Sequence, residues 1–168
     1  RTFATKPALA VQMLQRNFDA GLKLAWVTGD SIYGDDRALR RWLESRPQPY
    51  VLAVSGKEAV WLASHQRQVK TILAELPADG WETLSAGAGS KGPRWYDWRR
   101  LELSEPPQNG WRRWLLVRRS ISDPSEMTGY IVFTRAHTTL RELVRVAGRR
   151  WTAEESIQCA KGEVGLNH

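Results

Sequence analysis

A chain of 168 residues with 42% hydrophobic side chains can bury a core for one domain, or for one domain with a large insertion, which excludes a disordered tail. No run reaches the roughly 18 apolar residues of a membrane span, no secretory leader opens the sequence, and the single Cys159 excludes an internal disulfide or a multi-thiolate zinc site. The net charge of +7 is concentrated: residues 91–151 hold 13 Lys/Arg against 6 Asp/Glu, while the remainder balances at 12 against 12.

In chain order, Pro7 to Ala20 reads as a helix, with Pro7 in its first turn, Leu9, Met13, Leu14 and Phe18 on one face, and Gly21 as C-cap. Leu22 to Thr28 is short and apolar and ends at Gly29-Asp30, as a buried strand does. Asp35 and Asp36 suit the N-terminus of a second helix, Arg37 to Ser45, with Leu39 and Leu43 inward. Tyr50 to Val54 is a further buried strand. This strand–helix–strand spacing predicts a crossover between parallel strands.

After residue 55 the texture changes. A helix is predicted around Val69 to Leu76, and then short strands at Trp95–Leu103, Trp111–Arg118 and Tyr130–Thr134, separated by Gly- and Pro-rich turns. The helical period returns with Leu140, Leu143, Val144 and Ala147, breaks at Gly148, and resumes from Thr152 to Lys161. The expected division is a first core part over 1–55, a basic, aromatic, β-rich insertion over 56–134, and a final core part over 135–168. The basic stretch 91–151 also carries five of the nine tryptophans, namely Trp95, Trp98, Trp111, Trp114 and Trp151. Cations neutralise phosphates and flat rings stack on opened bases, so this stretch suggests nucleic acid. Strands also favour tryptophan for packing alone.

Asp30 directly follows a strand, where open α/β sheets place their ligands, and Gly29 and Gly34 flank it. Alone, it would be an ordinary turn aspartate. Near the other end, Arg150, Glu154 and Lys161 lie four and seven residues apart. On a helix they fall on one stripe, a carboxylate between two cations. Read blandly, that is a solvated face with ion pairs, and Thr152 with Glu155 has capping-box spacing. His65, His137 and His168 have no metal-ligand spacing.

Taken together, Asp30 after a strand, a β-rich insertion and a helix carrying Arg-(3)-Glu-(6)-Lys resemble the YREK branch of DDE-type bacterial insertion-sequence transposases. The segments Val27–Gly34 and Ala160–Leu166 and the opening Phe3–Pro7 share in the resemblance. The signature tyrosine falls at Ala147, a departure from the pattern. The resemblance implies an α/β, RNase H-like fold, a mixed sheet flanked by helices with a β insertion before the catalytic glutamate helix. It implies a catalytic and metal-binding role for Asp30 and Glu154, two Mg²⁺ (or Mn²⁺) ions, and double-stranded DNA at inverted-repeat transposon ends as partner. Arg150 and Lys161 would hold phosphates, and Trp95, Trp98, Trp111 or Trp114 would face DNA. A cytoplasmic, nucleoid-associated setting and a homodimer in the DNA complex go with it.

No acid precedes Asp19, which sits near the end of a predicted helix. The expectation is therefore a fragment, cut at both ends, whose first acid lies upstream of Arg1 and which binds DNA with little cleavage. The alternatives are a non-catalytic nucleic-acid-binding domain, an RNase H-like nuclease of repair or RNA, and a protein-interaction module with an aromatic β surface.

Overall fold

The computed structural model describes residues 3–104 and 108–149. Helix α1 (Lys6–Asp19) starts where Thr5 Oγ1 accepts the Ala8 N–H at 3.3 Å, with proline in its first turn. It ends before Gly21, whose φ of +79° turns the chain out of the helix. Strand β1 covers only Val27–Gly29, less than the predicted Leu22–Thr28. Leu22 is more than half exposed, and β1 pairs on one side only, with three residues of β2. Residues 22–26 have no ladder to join.

Asp30 caps a single helical turn, α2 (Ser31–Gly34), and Asp36 caps α3 (Arg37–Ser45) through the Leu39 N–H at 2.8 Å. Strand β2 (Tyr50–Val54) runs parallel to β1, with Val27 opposite Tyr50 and Gly29 opposite Leu52. A hairpin that the sequence does not announce follows, β3 (Ala59–Leu62) and β4 (His65–Gln68). Its two turn residues, Ala63 and Ser64, take positive φ without the usual Asn or Gly, so composition gives no signal for it. Helix α4 (Val69–Ala74) comes next.

Four long strands complete the sheet: β5 (Glu82–Gly89), β6 (Gly92–Glu102), β7 (Trp111–Arg119) and β8 (Met127–Arg135). The order is β1-β2-β8-β7-β6-β5, with every pair but β1–β2 antiparallel. The basic, aromatic strands therefore continue the sheet that β1 and β2 begin. Residues 140–149 form a further helix, α5. Alternation along the strands separates two cores. Tyr50, Leu52, Leu115, Val117, Ile131 and Phe133 pack beneath α1, α3 and α4. Val51, Ala53, Trp98, Leu116, Tyr130 and Val132 pack beneath α5 through Leu143, Val144, Val146 and Ala147. The result is a mixed α/β architecture with helices on both faces of one sheet. Among the described residues, no helix is long and apolar enough to cross a membrane.

Candidate active site and nucleic-acid interface

Asp30 stands at the carboxyl end of the edge strand β1, half-buried. One carboxylate oxygen, Oδ1, accepts the Ile32 N–H at 3.0 Å, and the Asp30 carbonyl receives the N–H groups of Tyr33 and Gly34. The N-cap thus fixes the direction of the side chain while Oδ2 stays outside that bond. Neither flanking glycine has a positive φ. Gly34 is needed for closeness: a Cβ there would sit 1.7 Å from the Ala53 carbonyl oxygen of β2. Glycine therefore seats α2, and with it Asp30, directly on the sheet.

The nearest acids in sequence are engaged elsewhere. Asp35 accepts the Ser55 N–H at 2.9 Å, tying the α2–α3 corner to the end of β2, and Asp36 caps α3. Among the described residues no three His, Cys, Asp or Glu side chains come together as a metal site, so Asp30 alone does not make a complete donor set.

A family model described as DDE superfamily endonuclease matches residues 1–102, which include β1, Asp30 and the strands through β6. The chain belongs to the DDE superfamily endonuclease family. No curated protein matches it. The mixed sheet flanked by helices is the RNase H-like arrangement expected of a DDE endonuclease domain.

In this DDE endonuclease chain, Arg150, Glu154 and Lys161 lie outside the described residues. Helix α5, which precedes them, is placed firmly. A Cβ on Gly148 would meet the Ala86 carbonyl oxygen at 1.7 Å, so the helix end is pressed onto β5. In the strand order β5 is the edge opposite β1.

The tryptophans divide sharply. Trp98 is fully buried and Trp111 nearly so, stacked on Phe133 at 4.5 Å between centroids. Neither offers a face to a base, and the expectation that they face DNA is corrected: they hold the core. Trp95 is 54% exposed, and Trp114 is half-buried with the Arg100 guanidinium 4.1 Å above its ring.

The arginines of the strands are likewise engaged within the fold. Arg119 lies 4.0 Å over Trp81 and pairs with Asp97, Arg118 lies over Tyr96, and Arg135 lies over Trp111. Much of the Arg–Trp interleaving that suggested nucleic acid is therefore cation–π packing within the fold.

Sequence reasoning missed two buried acids. Glu44 takes both a bidentate bond from Arg113 and the Tyr50 hydroxyl at 3.1 Å, and Glu58 pairs with Arg37 and Arg40. Glu44, with Arg37 and Arg40, borders a cavity of about 230 Å³ between α3, the β3–β4 hairpin and β7, with Arg41 and Trp61 at its wall. Its residues come from separate segments, so no local spacing could have announced it.

Proposed function

We propose that this DDE endonuclease chain is part of an insertion-sequence transposase of the YREK branch, in which Asp30 is the second metal-binding acid and Glu154 the third. The observation that carries the reading is Asp30 itself: a carboxylate at the carboxyl end of a sheet strand, aimed by its own N-cap and keeping one oxygen outside that bond. Nucleases of this superfamily generally work with divalent metal ions. Two such ions, when bound, activate the attacking oxygen and stabilise the departing one in an in-line displacement.

Asp30 and Glu154 would supply hard oxygen donors. Arg150 and Lys161, one helical stripe with Glu154 in the sequence, would grip the backbone of the cut strand. Trp95, with an open ring, and Trp114, on the α5 side of the sheet, are the rings left for contact with bases. Cutting at transposon ends and joining to target DNA follow from the branch and not from the site alone.

One observation favours a second reading, a nucleic-acid-binding domain without catalysis. The N-cap accounts fully for an acid at position 30. Asp30→Asn separates the two, because asparagine caps a helix as well as aspartate but is a poor metal ligand. Nicking of supercoiled plasmid with Mg²⁺ or Mn²⁺ by the full-length protein is expected to vanish in Asp30→Asn and in Glu154→Gln, with thermal stability unchanged. Nicking that survives Asp30→Asn removes Asp30 from the site.

A further inference from the structure

Helix α5 presents Arg141, Arg145 and Arg149 at steps of four residues, and all three are exposed. Each step of four advances about 6 Å and turns about 40° beyond a full revolution, so the three heads form one stripe roughly 12 Å long. The helix cannot roll this stripe away. Its opposite side is buried through Leu143, Val144, Val146 and Ala147, and Gly148 is pressed against Ala86.

The stripe differs from every other arginine group of the sheet. Arg99, Arg100, Arg112 and Arg119 are each held by a carbonyl, a carboxylate or a ring. The side chains of Arg141, Arg145 and Arg149 make no hydrogen bond or ion pair among the described residues, and Glu142 between them stands by the Thr139 hydroxyl that receives its N–H. Like charges four residues apart on a helix repel. The helix dipole rewards cations in the last turn, which accounts for Arg149, but disfavours one in the first turn, where Arg141 sits. Stability therefore does not explain the stripe. At its far end Arg94 of β6 donates to the Gly148 carbonyl at 3.3 Å, and Lys91 is exposed in the β5–β6 turn, so the positive surface continues past the helix.

We propose that this face of α5 is a phosphate-gripping surface for duplex DNA, contacting the backbone independently of base sequence. The inference rests on the nucleic-acid reading above but places the contact on residues outside the candidate active site. Each phosphate neutralised on B-DNA contributes about 0.9 to the slope of log affinity against log salt.

The test is the salt dependence of binding of the whole chain to a fluorescent duplex of arbitrary sequence. Arg141→Gln/Arg145→Gln/Arg149→Gln is compared with Lys6→Gln/Lys23→Gln/Arg41→Gln, which removes equal charge from the α1–α3 side of the sheet. Glutamine keeps helix propensity close to that of arginine, and Arg141→Gln alone guards against misfolding of the triple variant. The α5 triple variant should lose about 2.7 from the slope and the single variant about 0.9, with the control unchanged. Equal losses in the two triple variants would mean that binding follows net charge, and the proposal fails. An unchanged slope in a chain that does bind removes this face while leaving the nucleic-acid reading in place. A wild-type chain that binds no duplex at any salt overturns both.

Discussion

Gly148 and Ala86 lie so close that a single methyl group on the glycine would fall 1.7 Å from the alanine carbonyl oxygen. Helix α5 is thereby fixed on β5, and the segment that carries Glu154 leaves the described fold from that point. The same relationship recurs at Gly34 and Ala53, where the turn capped by Asp30 meets β2. Both ends of the proposed acidic pair are thus introduced by a glycine pressed on a strand carbonyl.

Gly148→Ala is expected to destabilise the protein, although alanine in a helix interior ordinarily stabilises by about 1 kcal/mol. Forcing a methyl group into backbone contact costs typically 1–3 kcal/mol or more. Urea unfolding decides the sign, and a variant at least as stable as wild type would show that the helix end is not held against β5.

Trp98 and Trp95 should respond in opposite ways. Trp98→Ala empties a fully buried site beneath α5 and is expected to cost about 3–5 kcal/mol. Trp95→Ala, at an exposed position, should stay within about 0.5 kcal/mol of wild type. Thermal melts of the two variants compare them directly, and similar losses would contradict the division between core and surface tryptophans.

Glu44 joins α3 to β7 through Arg113 and to β2 through the Tyr50 hydroxyl. Breaking a buried pair costs about 3–5 kcal/mol, and the partial exposure of Arg113 lowers the expectation for Glu44→Ala to about 2–3 kcal/mol. Chemical denaturation measures it. A loss below about 0.5 kcal/mol would place the pair among ordinary surface bridges.

Burial pushes the Tyr50 hydroxyl well above the usual tyrosine value, and the Glu44 carboxylate acts in the same direction. A folded-state value above the unfolded one means that the native chain holds its proton while the unfolded chain releases it. This contribution to stability is complete below about pH 10 and is lost as pH rises beyond it. Tyrosinate absorbance should rise for Tyr50 only with unfolding. Reversible ionisation at the usual value in the intact fold would contradict its burial.

Asp97 behaves in the reverse sense. The Thr83 hydroxyl donates to it at 2.6 Å and holds its carboxyl below the usual range, with Arg119 adding to the effect against partial desolvation. Its stabilising contribution is present above the ordinary carboxylate value and is lost as pH falls through the lowered one. Thr83→Val should move the Asp97 titration upward when followed by NMR, and an unmoved titration would leave the hydroxyl without a role.

Local patterns carried much of the fold. The periods and caps of α1 and α3, the apolar run of β2 and the alternation of β6, β7 and β8 were readable because each is set by neighbours within a few residues. Strand β5 was not, because Glu82–Gly89 is rich in small residues and gains its place only by pairing with β6. The β3–β4 hairpin hid behind an Ala63-Ser64 turn for the same reason.

By itself the sequence determined the parallel β1–β2 unit and the placing of Asp30 at a strand end, since apolar runs, turn residues and caps act over short distances. Tertiary structure alone decided which tryptophans are core and which arginines are already engaged. It also set how closely α2 and α5 approach the sheet. Those outcomes depend on side chains distant in sequence competing for the same buried space, and no spacing along the chain records that competition.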